Sequence, residues 1–292
     1  MSSIDVIIPV FNDYYPLRVS LLAYLDQTFD KNEFKIIVVD DGSTKDIKSV
    51  CKEFENQLNL IYIRKKREGR SAARNVGVSH SMAKRIVFSD ADRFPARDFI
   101  EKHNTFQKEF YIGDIREIYS SKISNNEKKI LNYRDKEIFR RVNYATLIYN
   151  LFDDNGLTDS NLSWLATFSG NMSLDRDEFE KIGGFDENFK DWGFEHFEFG
   201  YRYFNYYGKP LIYKKDCINW HIAHKRDLSN LKEKWLLSYK IFLEKYNSYE
   251  IRCLIDFMFG NISLQSYEKL INDNYYDLKW IKNTEKALFH KL

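Results

Sequence analysis

The chain has 292 residues, 43% of them hydrophobic and 30% charged, and its formal net charge is only +2. That length can bury a sizeable core, the composition is that of a soluble globular protein, and the net charge is too small to suggest nucleic acid as the main partner. Its three cysteines, Cys51, Cys217 and Cys253, are widely spaced and form no paired motif, which argues for buried thiols in a reducing compartment and against structural zinc.

Ile4 to Val10 is apolar, too short for the hydrophobic part of a leader and not preceded by basic residues, so it reads as a first strand. Leu17 to Asp26 follows as a helix, Ile36 to Val39 as a second strand, and Asp40 to Thr44 as a turn into a helix from about Asp46 to Asn56. Leu60 to Ile63 makes a third strand. After a basic loop, Ser71 to Ser81 carries small residues at helical spacing, and Arg85 to Ser89 is a fourth strand ending in Asp90, Ala91 and Asp92. Alternation of short β-branched runs with helical patterns predicts βαβ units around a mostly parallel sheet.

From Tyr111 the pattern loosens, and Ser121 to Asp135 is rich in Lys, Asn and Glu. The expectation is a mobile excursion over about residues 120–160, with regular structure returning at Phe168 as strands, a Gly183–Gly184 turn and an aromatic helix. Beyond Asp227, Leu231, Trp235, Leu236, Tyr239, Ile241 and Phe242 recur at helical intervals, so residues 228–292 are expected to form a C-terminal helical extension of a domain spanning 1–227. No stretch approaches the roughly 20 apolar residues of a membrane span. A cytoplasmic protein with at most peripheral membrane contact is therefore expected.

In open α/β sheets ligands collect at the carboxyl ends of the strands. Asn12 and Asp13, Asp40 and Asp41, and Asp90 and Asp92 should therefore share one rim. So many carboxylates would repel one another unless a cation or hydrogen-bond donors compensate them, which points to a ligand site rather than solvated turns.

Four ordered segments, Ile8 to Asn12, Val39 to Ser43, Arg70 to Gly77 and Phe88 to Asp92, resemble those of the inverting nucleotide-sugar glycosyltransferases of family 2, which have the GT-A fold. A later stretch, Gly184 to Glu187 and Asp191 to Glu195, resembles the acceptor half of galactosyltransferase-type and chondroitin-synthase-type members. The resemblance covers about residues 4–227. It implies a Rossmann-like mixed, mostly parallel sheet flanked by helices, residues 1–110 forming the nucleotide-sugar half and 111–227 the acceptor half.

The same resemblance implies a UDP-sugar donor carrying galactose, N-acetylgalactosamine or glucose, and a saccharide, lipid-linked or peptide acceptor. Pro9, Phe11, Asp13 and Asp40 would surround base and ribose, with Asp40 or Asp41 accepting the uracil N3 proton. Arg70 and Arg74, at i and i+4 on the start of a helix whose dipole favours anions, would meet the diphosphate. Asp92 would ligate Mn²⁺ or Mg²⁺, with Asp90 at the ribose or a metal-bound water. His224, in the run Trp220 to Asp227, would complete the metal shell, with His221 as the second choice.

Glu195 is the candidate base for the acceptor hydroxyl. The family's acidic pair is broken here, because His196 stands at its second position, so His196 is the alternative as an imidazole base. Trp192 would stack on a sugar ring, and Gly193 and Asn171 would line the acceptor floor. Glu198 and Arg202, at i and i+4 on one helix, should pair with each other. Two rival readings are a nucleotidyltransferase acting on sugar phosphates, for which an early glycine-rich phosphate loop is missing, and a non-catalytic carbohydrate-binding relative.

Overall fold

In the computed structural model, residues 3–104, 108–119, 126–136, 139–190, 193–223 and 231–273 are described. Three βα units and a fourth strand open the chain: β1 (Ile4–Val10), α1 (Tyr14–Leu25), β2 (Phe34–Asp40), α2 (Ile47–Phe54), β3 (Leu60–Arg64), α3 (Arg70–Ser79) and β4 (Arg85–Ser89). Helix α1 begins three residues before the expected Leu17, because Pro16 falls in its first turn, where a missing N–H costs nothing. Then come β5 (Arg93–Pro95), α4 (Phe99–His103), β6 (Tyr111–Tyr119), α5 (Glu127–Leu131), α6 (Asn143–Tyr149), β7 (Asn171–Asp175), α7 (Arg176–Lys181), α8 (Glu195–Tyr207) and β8 (Ile212–Ala223). Three helices follow, α9 (Leu231–Tyr246), α10 (Tyr249–Met258) and α11 (Leu264–Asn272).

The eight strands form one sheet in the order β3-β2-β1-β4-β7-β6-β8-β5. Strands β1 to β4 are mutually parallel, β7 runs antiparallel to β4 and β6, β8 is parallel to β6, and β5 closes the edge antiparallel to β8. Both faces are covered, which is why the first strands read as unbroken apolar runs. Ile4, Val6, Ile8 and Val10 pack with Leu17, Leu21, Val50 and Phe54 on one side. Ile7, Ile37, Val39 and Phe88 pack with Ala73, Phe185 and Phe199 on the other. All three cysteines are free and buried.

Strand β6 lies where the periodicity was expected to loosen. Its middle is polar because its charges are paired inside the fold. The buried Asp114 accepts two hydrogen bonds from Arg141, at 2.6 and 2.7 Å, and one from Arg116 at 3.0 Å. A strand that carries such pairs has no clean apolar alternation for sequence reasoning to find.

The C-terminal helices share the core of the sheet domain. Trp235 meets Phe194 edge to face, Phe242 meets Trp164 and Phe189 in the same way, and Leu254, Phe257 and Tyr267 continue that cluster. Charge reinforces the contact, since Lys245 on α9 donates to Asp186 at 2.7 Å and to the buried Glu198 of α8 at 2.8 Å. Arg202 grips Glu198 through two bonds of 2.9 and 2.8 Å, the expected i and i+4 pair. Among the described residues, no helix is long and apolar enough to cross a membrane.

Candidate active site at the carboxyl rim of the sheet

Because β1, β2 and β4 are parallel neighbours, their carboxyl ends bring Val10, Asp40 and Ser89 to one rim. The loops beyond β1 and β2 are stitched together by Asn12, whose φ of +61° is a conformation that asparagine tolerates better than most residues. Its side-chain oxygen accepts from the Thr44 and Lys45 amides at 2.9 and 3.2 Å, and its own N–H donates to Ser43 Oγ at 2.9 Å. Pro9 and Phe11 are half-buried on this rim, with the Arg67 guanidinium over the Phe11 ring at 4.0 Å. Asp13 stands at the start of α1.

Asp40 and Asp41 organise the rim itself. Asp40 is buried and accepts from the Ser43 amide (2.8 Å), the Tyr62 hydroxyl (2.7 Å) and Arg64 (3.2 Å). Asp41 accepts from Lys65 at 3.1 Å and from the Glu68 and Gly69 amides at 2.9 Å each, fastening the basic loop that leads into α3. A bound base would share these carboxylates with their protein partners.

Arg74 is among the largest fully buried side chains. It donates to Asp90 Oδ1 at 2.9 Å and to Glu195 Oε1 at 3.4 Å, so one guanidinium ties the end of β4 to the start of α8. Arg70, more exposed, stands 3.9 Å from the same Glu195 oxygen. Burial alone would raise both carboxyls. Arg74 and Arg93 outweigh it for Asp90, and His196, Arg70 and Arg74 outweigh it for Glu195, so both are held below the ordinary carboxylate range.

Asp92 faces His221, with Oδ2 and Nε2 3.1 Å apart, and the other ring nitrogen of His221 lies 3.2 Å from Glu117 on β6. An ionised carboxylate can only accept, so each ring nitrogen presents a proton to its carboxylate; a cation at Asp92 would displace the one on Nε2, while the Nδ1 proton would still face Glu117. Burial would depress this imidazole, but Asp92 and Glu117 outweigh it and raise its pKa. A separation of 3.1 Å suits two neighbouring ligands on one octahedral cation with bonds of roughly 2.1 Å. Among the described residues, no three His, Cys, Asp or Glu side chains group as a complete metal site. Asp92 and His221 thus fit a cation that draws its remaining ligands from a substrate, as Mg²⁺ commonly does with phosphates. His224 lies outside the described residues, as does Trp192.

Gly193 and Phe194 enter α8 with φ of +118° and +64°. The Gly193 amide donates to Glu195 Oε2 at 3.2 Å, and a Cβ on Gly193 would stand 2.9 Å from Trp235 Cδ1. The turn is therefore shaped for glycine and backed by α9, and it aims Glu195 inward. Gly193→Ala is expected to cost about 1–3 kcal/mol through strain at this φ. A chemical denaturation curve within about 0.5 kcal/mol of wild type would show that the turn accommodates a side chain without strain.

Glu195 has a side chain only 2% exposed, whereas that of His196 is 18% exposed and its Nδ1 lies 3.7 Å from Glu195 Oε2. Asn171 pairs in register with the rim residue Ser89, but its side chain is buried between the strands. Its amide donates to the Asp114 and Cys217 carbonyls at 3.1 and 3.0 Å, and its oxygen meets His103 at 3.1 Å. Sequence reasoning missed Glu117, hidden in the polar strand β6, and Arg93, whose place directly after Asp92 was the available signal.

A comparison with family descriptions matches residues 5–244 to "Glycosyltransferase like family 2". The chain is 26% identical over 227 residues to the chondroitin synthase of Pasteurella multocida, covering 69% of this chain and only 23% of that one. It thus spans about a quarter of that relative. Among solved structures, S. aureus TarS 1–349 in complex with UDP-GlcNAc superposes with a TM-score of 0.60 at 16% identity, over 84% of this chain and 66% of the other. The mannosyltransferase PcManGT from Pyrobaculum calidifontis, in complex with GDP-Man and Mn²⁺, gives 0.58 at 15% identity, over 93% and 68%. These two likenesses establish the GT-A architecture.

Proposed function

The chain belongs to glycosyltransferase-like family 2, and on that footing we propose that it moves a hexose from a UDP donor to a hydroxyl acceptor of a bacterial glycan or glycoconjugate. The hexose is galactose, N-acetylgalactosamine or glucose, and the anomeric centre inverts. The observation that carries the reading is the Asp92–His221 contact of 3.1 Å on the strand rim, beside the buried Arg74. The UDP-GlcNAc complex of TarS and the GDP-Man and Mn²⁺ complex of PcManGT support it by showing what proteins of this architecture bind.

In this reading Pro9 and Phe11 flank the base, and Asp40 and Asp41 hold the loop against which it lies. Arg70 and the amino end of α3 face the diphosphate. Asp92 Oδ2 and His221 Nε2 hold a divalent cation, and Glu117 keeps His221 in the ligating tautomer. A cation bound there would neutralise charge on the departing nucleoside diphosphate, and an imidazole ligand tilts the choice toward Mn²⁺ over Mg²⁺. The acceptor proton passes to His196. Glu195, enclosed by Arg70, Arg74 and the Gly193 amide, stays ionised and orients that imidazole.

Calorimetric titration with UDP tests the reading. Wild-type affinity is expected to rise about 10- to 100-fold when Mn²⁺ is added, and Asp92→Ala should lose that increment. A wild type that binds UDP equally well with and without the cation would remove the metal from the proposal.

A further inference from the structure

Next to the proposed cation ligands sits an arginine whose hydrogen bonds are largely unmade. Arg93 opens β5, paired in register with His221, and its side chain is only 13% exposed. Its single ion-pair partner among the described residues is Asp90, with Nε 3.6 Å from Oδ2, too long for a hydrogen bond. Both Nε and one terminal nitrogen, Nη1, are buried without a hydrogen-bond partner. Buried donors on a charged group are costly to leave unmade and are normally satisfied.

The fold also makes room for this guanidinium. A Cβ on Gly170, the residue before β7, would stand 2.2 Å from Arg93 Nε and 2.6 Å from Asp90 Oδ2. Only glycine lets the arginine lie flat against that loop. Arg93 cannot be drawn off by Asp90 alone, because Asp90 Oδ1 already holds Arg74 at 2.9 Å. The charges that face this corner are the acids Asp90, Asp92, Glu117 and Glu195 and the basic groups Arg70, Arg74, Arg93 and His221. The acids and the basic groups are therefore close to balance before any cation is added, and a cation leaves a surplus of positive charge for a ligand anion.

We propose that Arg93 is a donor-binding residue that takes an anionic oxygen of the sugar nucleotide through its unpartnered N–H groups. The inference rests on the donor reading given above. Two sources offer that chemistry: the sugar-proximal phosphate, or a carboxylate on the transferred sugar. Either source presents an anionic oxygen to which a guanidinium N–H can donate.

Calorimetric titration of wild type, Arg93→Gln and Arg93→Lys with UMP, UDP, UDP-glucose and UDP-glucuronate, all with Mn²⁺, separates them. If the phosphate is the partner, Arg93→Gln weakens UDP and both sugar nucleotides about 10- to 100-fold and leaves UMP unchanged. If the carboxylate is the partner, wild type prefers UDP-glucuronate to UDP-glucose and the variant loses that preference alone. Arg93→Lys, which keeps the charge and the packing stem, carries the same comparison should the glutamine variant not fold. Equal affinities of wild type and variants for all four ligands would overturn the inference and leave Arg93 a packing residue. A wild type that binds UDP normally with such a result would keep the donor reading intact, whereas a wild type that binds no uridine nucleotide would sink the donor reading itself.

Discussion

His196→Ala is expected to lower turnover about 10²- to 10⁴-fold, the range for loss of a positioned general base, while UDP binding stays at the wild-type level. The motif alone favours Glu195 as the base. Its carboxylate has a side chain 2% exposed and accepts from Arg74 and the Gly193 amide, with Arg70 close by. Such partners stabilise the anion and so weaken it as a proton acceptor. His196 is nine times more exposed and lies within 3.7 Å of the same carboxylate, an arrangement in which the acid orients an imidazole that meets the substrate. His196→Asp places an acid where the resembled family carries one and should recover a large part of the lost rate. Initial rates of donor turnover with a saccharide acceptor, alongside UDP titration, decide the matter. A fully active His196→Ala would return the role of base to Glu195.

The rim was legible because parallel strands buried on both faces are nearly pure Val, Ile and Phe, so the polar residues that interrupt them stand out. Asp40, Asp90 and Asp92 each follow such a run, and topology alone puts them together. What each acid does there was not legible, because it depends on partners distant in the chain. Asp40 finds Tyr62 and Arg64, Asp41 finds Lys65, and Asp92 finds His221, 129 residues away. Asn171 is a different case. Its motif suggests a site residue, but its amide closes a gap between β6 and β8. Glu117 was invisible for the reason β6 was: a strand whose charges are neutralised internally has no apolar signature.

Arg74 was expected to meet the donor, yet its most direct consequence is for the fold. It lies between two carboxylates on separate elements, Asp90 at 2.9 Å and Glu195 at 3.4 Å. Removing one partner of a buried ionic cluster strands the others, at a cost of about 3–5 kcal/mol. Arg74→Met, which keeps much of the side-chain volume, is thus expected to lower the melting temperature by about 10 °C. Adding Glu195→Gln should return part of the loss, because the double variant no longer buries that unpaired charge. The pH dependence follows from the direction of the shifts. Asp90 and Glu195 are held below their unfolded values. Their contribution is therefore complete above the ordinary carboxylate range of about 3.9–4.3 and is lost as pH falls through the folded values. In Arg74→Met the same carboxyls lose the arginine they share, bind protons more readily, and gain relative stability as the solution is acidified. The gap between wild type and variant should accordingly be widest near neutrality and narrow below about pH 4. Thermal melts across that range measure it, and a variant within about 0.5 kcal/mol of wild type at pH 7 would mean that the cluster does not hold β4 to α8.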